Sequence, residues 1–139
     1  MKKLLLSLAI LMLLTASAFA VQEWPVQKYT LKNGLTLLTL EDASTPAVSF
    51  QVWYHVGSKN ERPGITGISH LFEHMMFKGS KNFADKEHDR LVQSSGGMIN
   101  AYTSNDMTVY HQEFGKDQLE LVARLEADRM QYLTITDKQ

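Results

Sequence analysis

There is no cysteine among the 139 residues. That absence removes disulfides, thiolate catalysis, cysteine-held zinc and a lipid-modified cysteine behind a leader in one step. Metal ligands, if any, must be His, Asp or Glu. Net charge is nearly absent too. At −1 the chain presents no basic surface for nucleic acid or anionic lipid, so function has to come from a local site. No long apolar run is present either: the stretch over residues 4–14 falls well short of the ~20 residues that cross a hydrocarbon core. Internal repeats and low-complexity tracts are also missing.

What is there is the composition of a soluble globular protein, 44% hydrophobic and 21% charged, holding one domain at most. The first twenty residues stand apart. Lys2 and Lys3 precede the apolar run, and small residues close it at Ala18-Phe19-Ala20. This order predicts a signal peptide over residues 1–20, cut after Ala20 and leaving no stable membrane anchor. The expected destination is an exported compartment, periplasmic or secreted. Cleavage leaves 12 basic side chains against 15 acidic ones, a mature net charge of −3.

In the mature chain, residues 28–33 and 35–40 suit two strands, and Asn33-Gly34 between them signals a hairpin. A third strand is predicted over 47–56, where Val48, Phe50, Val52, Tyr54 and Val56 alternate with Ser49, Gln51, Trp53 and His55. His55 is alone on its side of that alternation and is read as structural, because metal sites need several convergent ligands. A polar loop over 57–64 leads into a helix over 65–77, and a second helix is predicted over 84–94. Gly96-Gly97 ends it. Strands follow over 98–104 and 107–114 around an Asn105-Asp106 turn, and then a helix over 118–133. Such an order describes an α+β layer with the helices against one face of a sheet.

On the helix over 65–77, a step of about 100° per residue gathers Ile68, Leu71, Phe72, Met75 and Met76 on one face. His70, Glu73, His74 and Phe77 gather on the other. His70 and His74, at i and i+4, stand one above the other and can share one Zn²⁺ at ~2.0–2.1 Å per nitrogen. Between them, the Glu73 carboxylate can take a proton from water that a metal ion has acidified. By itself the pattern has an ordinary alternative. With five histidines in the chain, an exposed helix face can carry two of them and a glutamate with no metal at all. The order His-x-x-Glu-His is nonetheless a zinc-peptidase motif in its own right, inverted from the commoner one.

The surrounding residues, Gly64-Ile65-Thr66-Gly67-Ile68-Ser69-His70-Leu71-Phe72-Glu73-His74-Met75-Met76-Phe77-Lys78-Gly79-Ser80, strongly resemble the zinc helix of one family. It is the inverzincin family of pitrilysin, insulin-degrading enzyme and mitochondrial processing peptidase. Leu31-Lys32-Asn33-Gly34-Leu35 looks like the family's opening hairpin, and Val56-Gly57-Ser58 with Glu61 like the loop before its zinc helix. Gly96-Gly97 through Asn100-Ala101-Tyr102-Thr103, and Leu125-Glu126-Ala127-Asp128-Arg129-Met130, also fit. The resemblance implies a mixed β-sheet with helices on one face, the peptidase M16 or LuxS-like metallohydrolase domain, incomplete here at its C-terminus. It makes His70 and His74 zinc ligands and Glu73 the general base. Asn100, Ala101 and Tyr102 would then line a cleft in which an extended peptide pairs with the sheet edge.

One departure follows. The family's third ligand is a glutamate roughly 75 residues after the second histidine, which completes the open three-ligand site of catalytic zinc. Counted from His74, that position lies beyond Gln139. Glu113 and Glu126 are the in-chain candidates to replace it, but neither stands where the family puts that ligand. Glu126 shares a helical face with Leu119, Ala123, Met130 and Leu133, where a carboxylate needs a partner, and structural pairing with an Arg or Lys is expected there before ligation. The resemblance thus implies a zinc endopeptidase acting on peptides or unfolded protein segments, inactive as a 139-residue fragment. Further domains of the same kind, in the same chain or as subunits, would close a chamber. The rival expectation is a non-catalytic peptide-binding or assembly subunit of the same fold. A short metal- or peptide-binding protein ending at Gln139 is a third. His and carboxylate ligands accept Co²⁺ or Mn²⁺ as well as zinc.

Overall fold

A computed structural model describes residues 23–135; the leader predicted over residues 1–20 lies outside them. The chain divides into two compact units, residues 1–44 and 45–139. In the first, β1 (Gln27–Thr30) and β2 (Thr36–Thr39) pair antiparallel, with Thr30 opposite Thr36. The predicted hairpin is present with a three-residue loop instead of a two-residue one. Leu31 N donates to Leu35 O at 2.9 Å and Gly34 N to Leu31 O at 2.9 Å. Gly34 takes φ +88°, the left-handed position that ends such a loop and that glycine fills without a Cβ clash.

The second unit is a three-stranded sheet, β3 (Ala47–Tyr54), β5 (Thr108–Gly115) and β4 (Met98–Thr103), in the order β3-β5-β4. The α+β class holds. Every strand pairing among the described residues is antiparallel, so the mixed sheet takes a different form. The chain crosses from β3 to β4 through two helices, which makes those strands run the same way. β5 enters between them by the two-residue Asn105-Asp106 hairpin and keeps them from pairing in parallel. Ser104 N donates to Met107 O at 2.8 Å across that turn.

The helices α1 (Ile68–Met75), α2 (Glu87–Ser94) and α3 (Leu119–Tyr132) are each shorter than the sequence pattern predicts. Gly67 at φ +88° and Lys86 at φ +61° precede α1 and α2. Such a residue cannot continue a right-handed helix, so the apolar period ahead of it is spent in turns. Behind α1, Phe77 N reaches His74 O and Lys78 N reaches Met75 O, the tighter i→i+3 pattern of a closing helix.

The core forms where one face of the sheet meets α2 and α3. Val92, Phe114, Val122 and Leu125 are buried, with Val48, Phe50, Phe83, Leu91, Ile99 and Leu121 packed around them. Burying each such side chain contributes ~1.5–3 kcal/mol. The buried face of α3 runs Val122, Leu125, Glu126, Arg129, spaced i, i+3, i+4, i+7. This corrects the face predicted for Glu126, since Leu119 and Met130 are exposed.

A polar cluster continues the core. Arg129 grips Glu126 through Nη2 to Oε1 at 2.5 Å and Nε to Oε2 at 3.2 Å. Gln112 Nε2 also donates to Glu126, and the Gln112 Oε1 stands 3.2 Å from His88 Nε2. The guanidinium lies over the Tyr110 ring at 4.4 Å. Each charge is therefore buried with a partner, without which it would cost several kcal/mol.

Candidate metal and catalytic site

The site is built where the start of α1 meets the end of β4. After β3, the loop over residues 56–61 is fastened to the β4–β5 turn. Ser58 N donates to Ser104 O and Lys59 N to Asn105 O, each at 3.0 Å. Ser58 Oγ donates to Asn105 Oδ1 at 2.9 Å, and Lys59 pairs with Asp106. The same loop delivers Glu61 to the first turn of α1. Its Oε2 accepts from Gly67 N at 2.8 Å and its Oε1 from Ser69 N at 3.0 Å. Backbone amides that a helix start leaves without a partner are thereby satisfied. The hydrogen bonds from Gly67 and then Ser69 hold the Glu61 carboxyl below its ordinary range.

On α1, His70 Nε2 and His74 Nε2 converge to 3.1 Å, with ring centroids 4.6 Å apart. Two nitrogens bound to one tetrahedral ion at ~2.0–2.1 Å each stand about 3.3 Å apart. The exposed pair therefore fits a shared metal ion as it stands. Among the described residues no group of three or more His, Cys, Asp or Glu surrounds a common point, so the histidines are a two-donor set.

Glu73 departs from the predicted arrangement. It is 7% exposed and Thr103 Oγ1 donates to its Oε2 at 2.5 Å, whereas Leu71 is 58% and Phe72 49% exposed. The helix buries the side carrying Ser69 and Glu73, not the side with the most apolar residues. The Thr103 hydroxyl of the sheet meets the carboxylate there.

An open cleft of about 520 Å³ runs along this junction. It is lined by Ser58, Glu61, Thr66, Gly67, His70 and Glu73 on one side and by residues 101–105 on the other. Of the predicted substrate residues, Ala101 and Tyr102 line it. Asn100 does not: it is exposed one position further back, with its Oδ1 accepting from Ala101 N at 2.9 Å. Strand alternation divides the three. Ala101 shares the helix-facing side with Thr103, while Asn100 and Tyr102 lie on the other face, Tyr102 beside His111 at 6.4 Å between rings. β4 is an edge strand in the order β3-β5-β4, so among the described residues one side of it carries no strand partner.

Neither in-chain substitute for a third ligand reaches the histidines. Glu126 is held in the core by Arg129 and Gln112. Glu113 alternates to the exposed face of β5, away from the face that meets α1. His55 is exposed just past the end of β3. Sequence reasoning missed Thr103 as the partner of Glu73. The signal was available in the strand period, because Thr103 is two residues beyond Ala101 and so on the same face. It also missed His88 and Gln112, whose pairing joins elements far apart in the chain, whereas the Arg or Lys partner expected for Glu126 is Arg129, three residues on in the same helix.

The model of the insulinase family, peptidase family M16, matches residues 36–139. The chain belongs to that family. Its relatives include the Helicobacter pylori protein named zinc protease PqqE, 37% identical over 141 residues that cover 99% of this chain and 32% of that protein. Human insulin-degrading enzyme is 34% identical over 91 residues, covering 65% of this chain and 9% of the enzyme. Rat mitochondrial cytochrome b-c1 complex subunit 1 is 34% identical over 121 residues, 86% of this chain and 25% of that subunit. A crystal structure of a protease from Helicobacter pylori superposes with a TM-score of 0.82 at 35% identity, over 84% of this chain and 28% of that one. The chain spans about a third or less of the length of these relatives.

Proposed function

We propose that this chain carries the metal-binding and proton-transfer part of a zinc-dependent endopeptidase. His70 and His74 are two of its ligands, Glu73 is its general base, and peptides or unfolded protein segments are its substrates. The observation that carries the reading is the convergence of His70 and His74 Nε2 at 3.1 Å, with His70 and Glu73 lining one open cleft. Membership of the family supports it.

His70 and His74 would hold the ion through Nε2, and zinc there would supply a Lewis acid to polarise the peptide carbonyl and acidify water. Glu73 accepts the proton of the attacking water on its carboxylate and returns it to the departing amine nitrogen. The free edge of β4 holds an extended peptide by main-chain hydrogen bonds, with Ala101 and Tyr102 at the cleft and Asn100 behind them. The third protein ligand, and further domains of this kind closing around the substrate, belong in this reading to the length of the relatives that the chain does not span. The protein is exported to the periplasm or beyond after loss of residues 1–20.

A second reading, a non-catalytic assembly subunit of the same fold, draws on the similarity to cytochrome b-c1 complex subunit 1. One comparison separates the two. In the full-length protein, Glu73→Gln lowers the rate of hydrolysis of an unfolded protein by at least the ~10²–10⁴-fold of a lost general base. Zinc content stays at the wild-type level. Wild-type protein that binds zinc without cleaving anything supports the assembly subunit, and a Gln variant that stays active overturns the proposed mechanism.

A further inference from the structure

We infer that Thr103 is a positioning residue that sets which oxygen of Glu73 takes the proton, an inference that rests on the reading of Glu73 as general base. An ionised carboxylate only accepts hydrogen bonds. The single proton of the Thr103 hydroxyl therefore points at Glu73 Oε2, 2.5 Å away, the length of a charge-assisted O–H···O⁻ bond. Oε1 has no hydrogen-bond partner among the described residues, and Glu73 lines the cleft beside His70. One oxygen is anchored and the other is left for chemistry.

The anchor is itself held. Thr103 is β-branched and so stiff about χ1. It sits opposite Thr108 in the β4–β5 register, the two Oγ1 atoms in contact at 3.3 Å with no proton left to share between them, since each hydroxyl donates elsewhere. Thr108 Oγ1 in turn donates to Val56 O at 3.0 Å. Residues of β4, β5 and the loop after β3 thus converge behind one carboxylate oxygen. Without that hydrogen bond the terminal torsion of a glutamate is broad and roughly two-fold. The carboxylate would then spend less time aimed at the water it must deprotonate. An effect of that kind falls on turnover, because the β4 edge that holds the peptide backbone is unchanged.

The test uses the full-length, zinc-loaded protein and compares Thr103→Val, which keeps the shape and removes the hydroxyl, with Thr103→Ser, which keeps the hydroxyl. Thr103→Val lowers kcat about 10- to 100-fold, the span that a hydrogen bond to a charged group commands. KM stays within about twofold and the zinc content is unchanged. Thr103→Ser restores most of the rate. A crystal structure of T103V shows the Glu73 carboxylate turned away from its wild-type orientation, with His70 and His74 in place. If T103V does not fold, Thr103→Ala read against Thr103→Ser makes the same comparison. Wild-type kcat in the hydroxyl-free variant, a Ser variant as slow as the Val variant, or an unmoved Glu73 carboxylate overturns the inference. Failure of the general-base reading is distinguishable, because Glu73→Gln then keeps its activity whatever Thr103 does.

Discussion

His88 is a buried base held in its neutral form. Burial first, and the Arg129 charge second, push its pKa down from 6.5 to about 4, against the opposing hydrogen bond with Gln112. The sign of the effect on stability follows from proton binding. Between pH 6.5 and 4 the unfolded chain takes up a proton on this histidine that the folded chain refuses, so stability falls as pH falls through that window. At full effect the loss is roughly 3 kcal/mol, from about 1.4 kcal/mol per pH unit. The thermal midpoint of the full-length protein is expected to drop between pH 7 and pH 4.5, and His88→Gln to flatten that drop. An equal slope in the variant would remove His88 as the cause.

The helix α1 with the loop that leads into it shows what a local pattern can and cannot reveal. The His-x-x-Glu-His spacing was legible, because i and i+4 on one helix bring two side chains together wherever that helix lies. The buried side of α1 was not legible. Its apolar residues Leu71 and Phe72 are exposed while Ser69 and Glu73 are buried, with the Thr103 hydroxyl of the sheet meeting the Glu73 carboxylate and Glu61 accepting from the Ser69 amide. The loop is a second instance. A Cβ on Gly57 would stand 2.3 Å from Ser104 O and 2.6 Å from Asn105 O, contacts that no side chain tolerates. Gly57→Ala is therefore expected to separate the loop from the β4–β5 turn and release Glu61 from the start of α1. The destabilisation should reach the ~1–3 kcal/mol of an overpacked site, with the zinc affinity of the full-length protein lowered as well. Denaturant unfolding together with zinc titration checks this, and a variant as stable and as metal-avid as the wild type would show the close approach to be dispensable.

At the scale of the whole molecule, the two-donor set makes a prediction about metal. A catalytic zinc site takes three protein ligands and keeps one position open, and the described residues bring His70 and His74 to a common point with no third group. A polypeptide of residues 21–139 is accordingly expected to bind Zn²⁺ weakly and to hydrolyse no peptide. Competition against a chromophoric chelator measures the first and a peptide cleavage assay the second; tight binding with turnover by residues 21–139 alone would contradict it. Short-range features were determined by the sequence itself. The hairpin around Asn33-Gly34, the strand periods, the Asn105-Asp106 turn and the histidine pair all depend on neighbours within a few residues, where backbone sterics and side-chain spacing act directly. Only the tertiary structure decided the rest. β5 lies between β3 and β4, Thr103 faces Glu73 across 30 positions of chain, and Gln112 of β5 joins His88 of α2 to Glu126 of α3 in the core. Those outcomes depend on which distant groups can satisfy a buried charge once the sheet and helices have met.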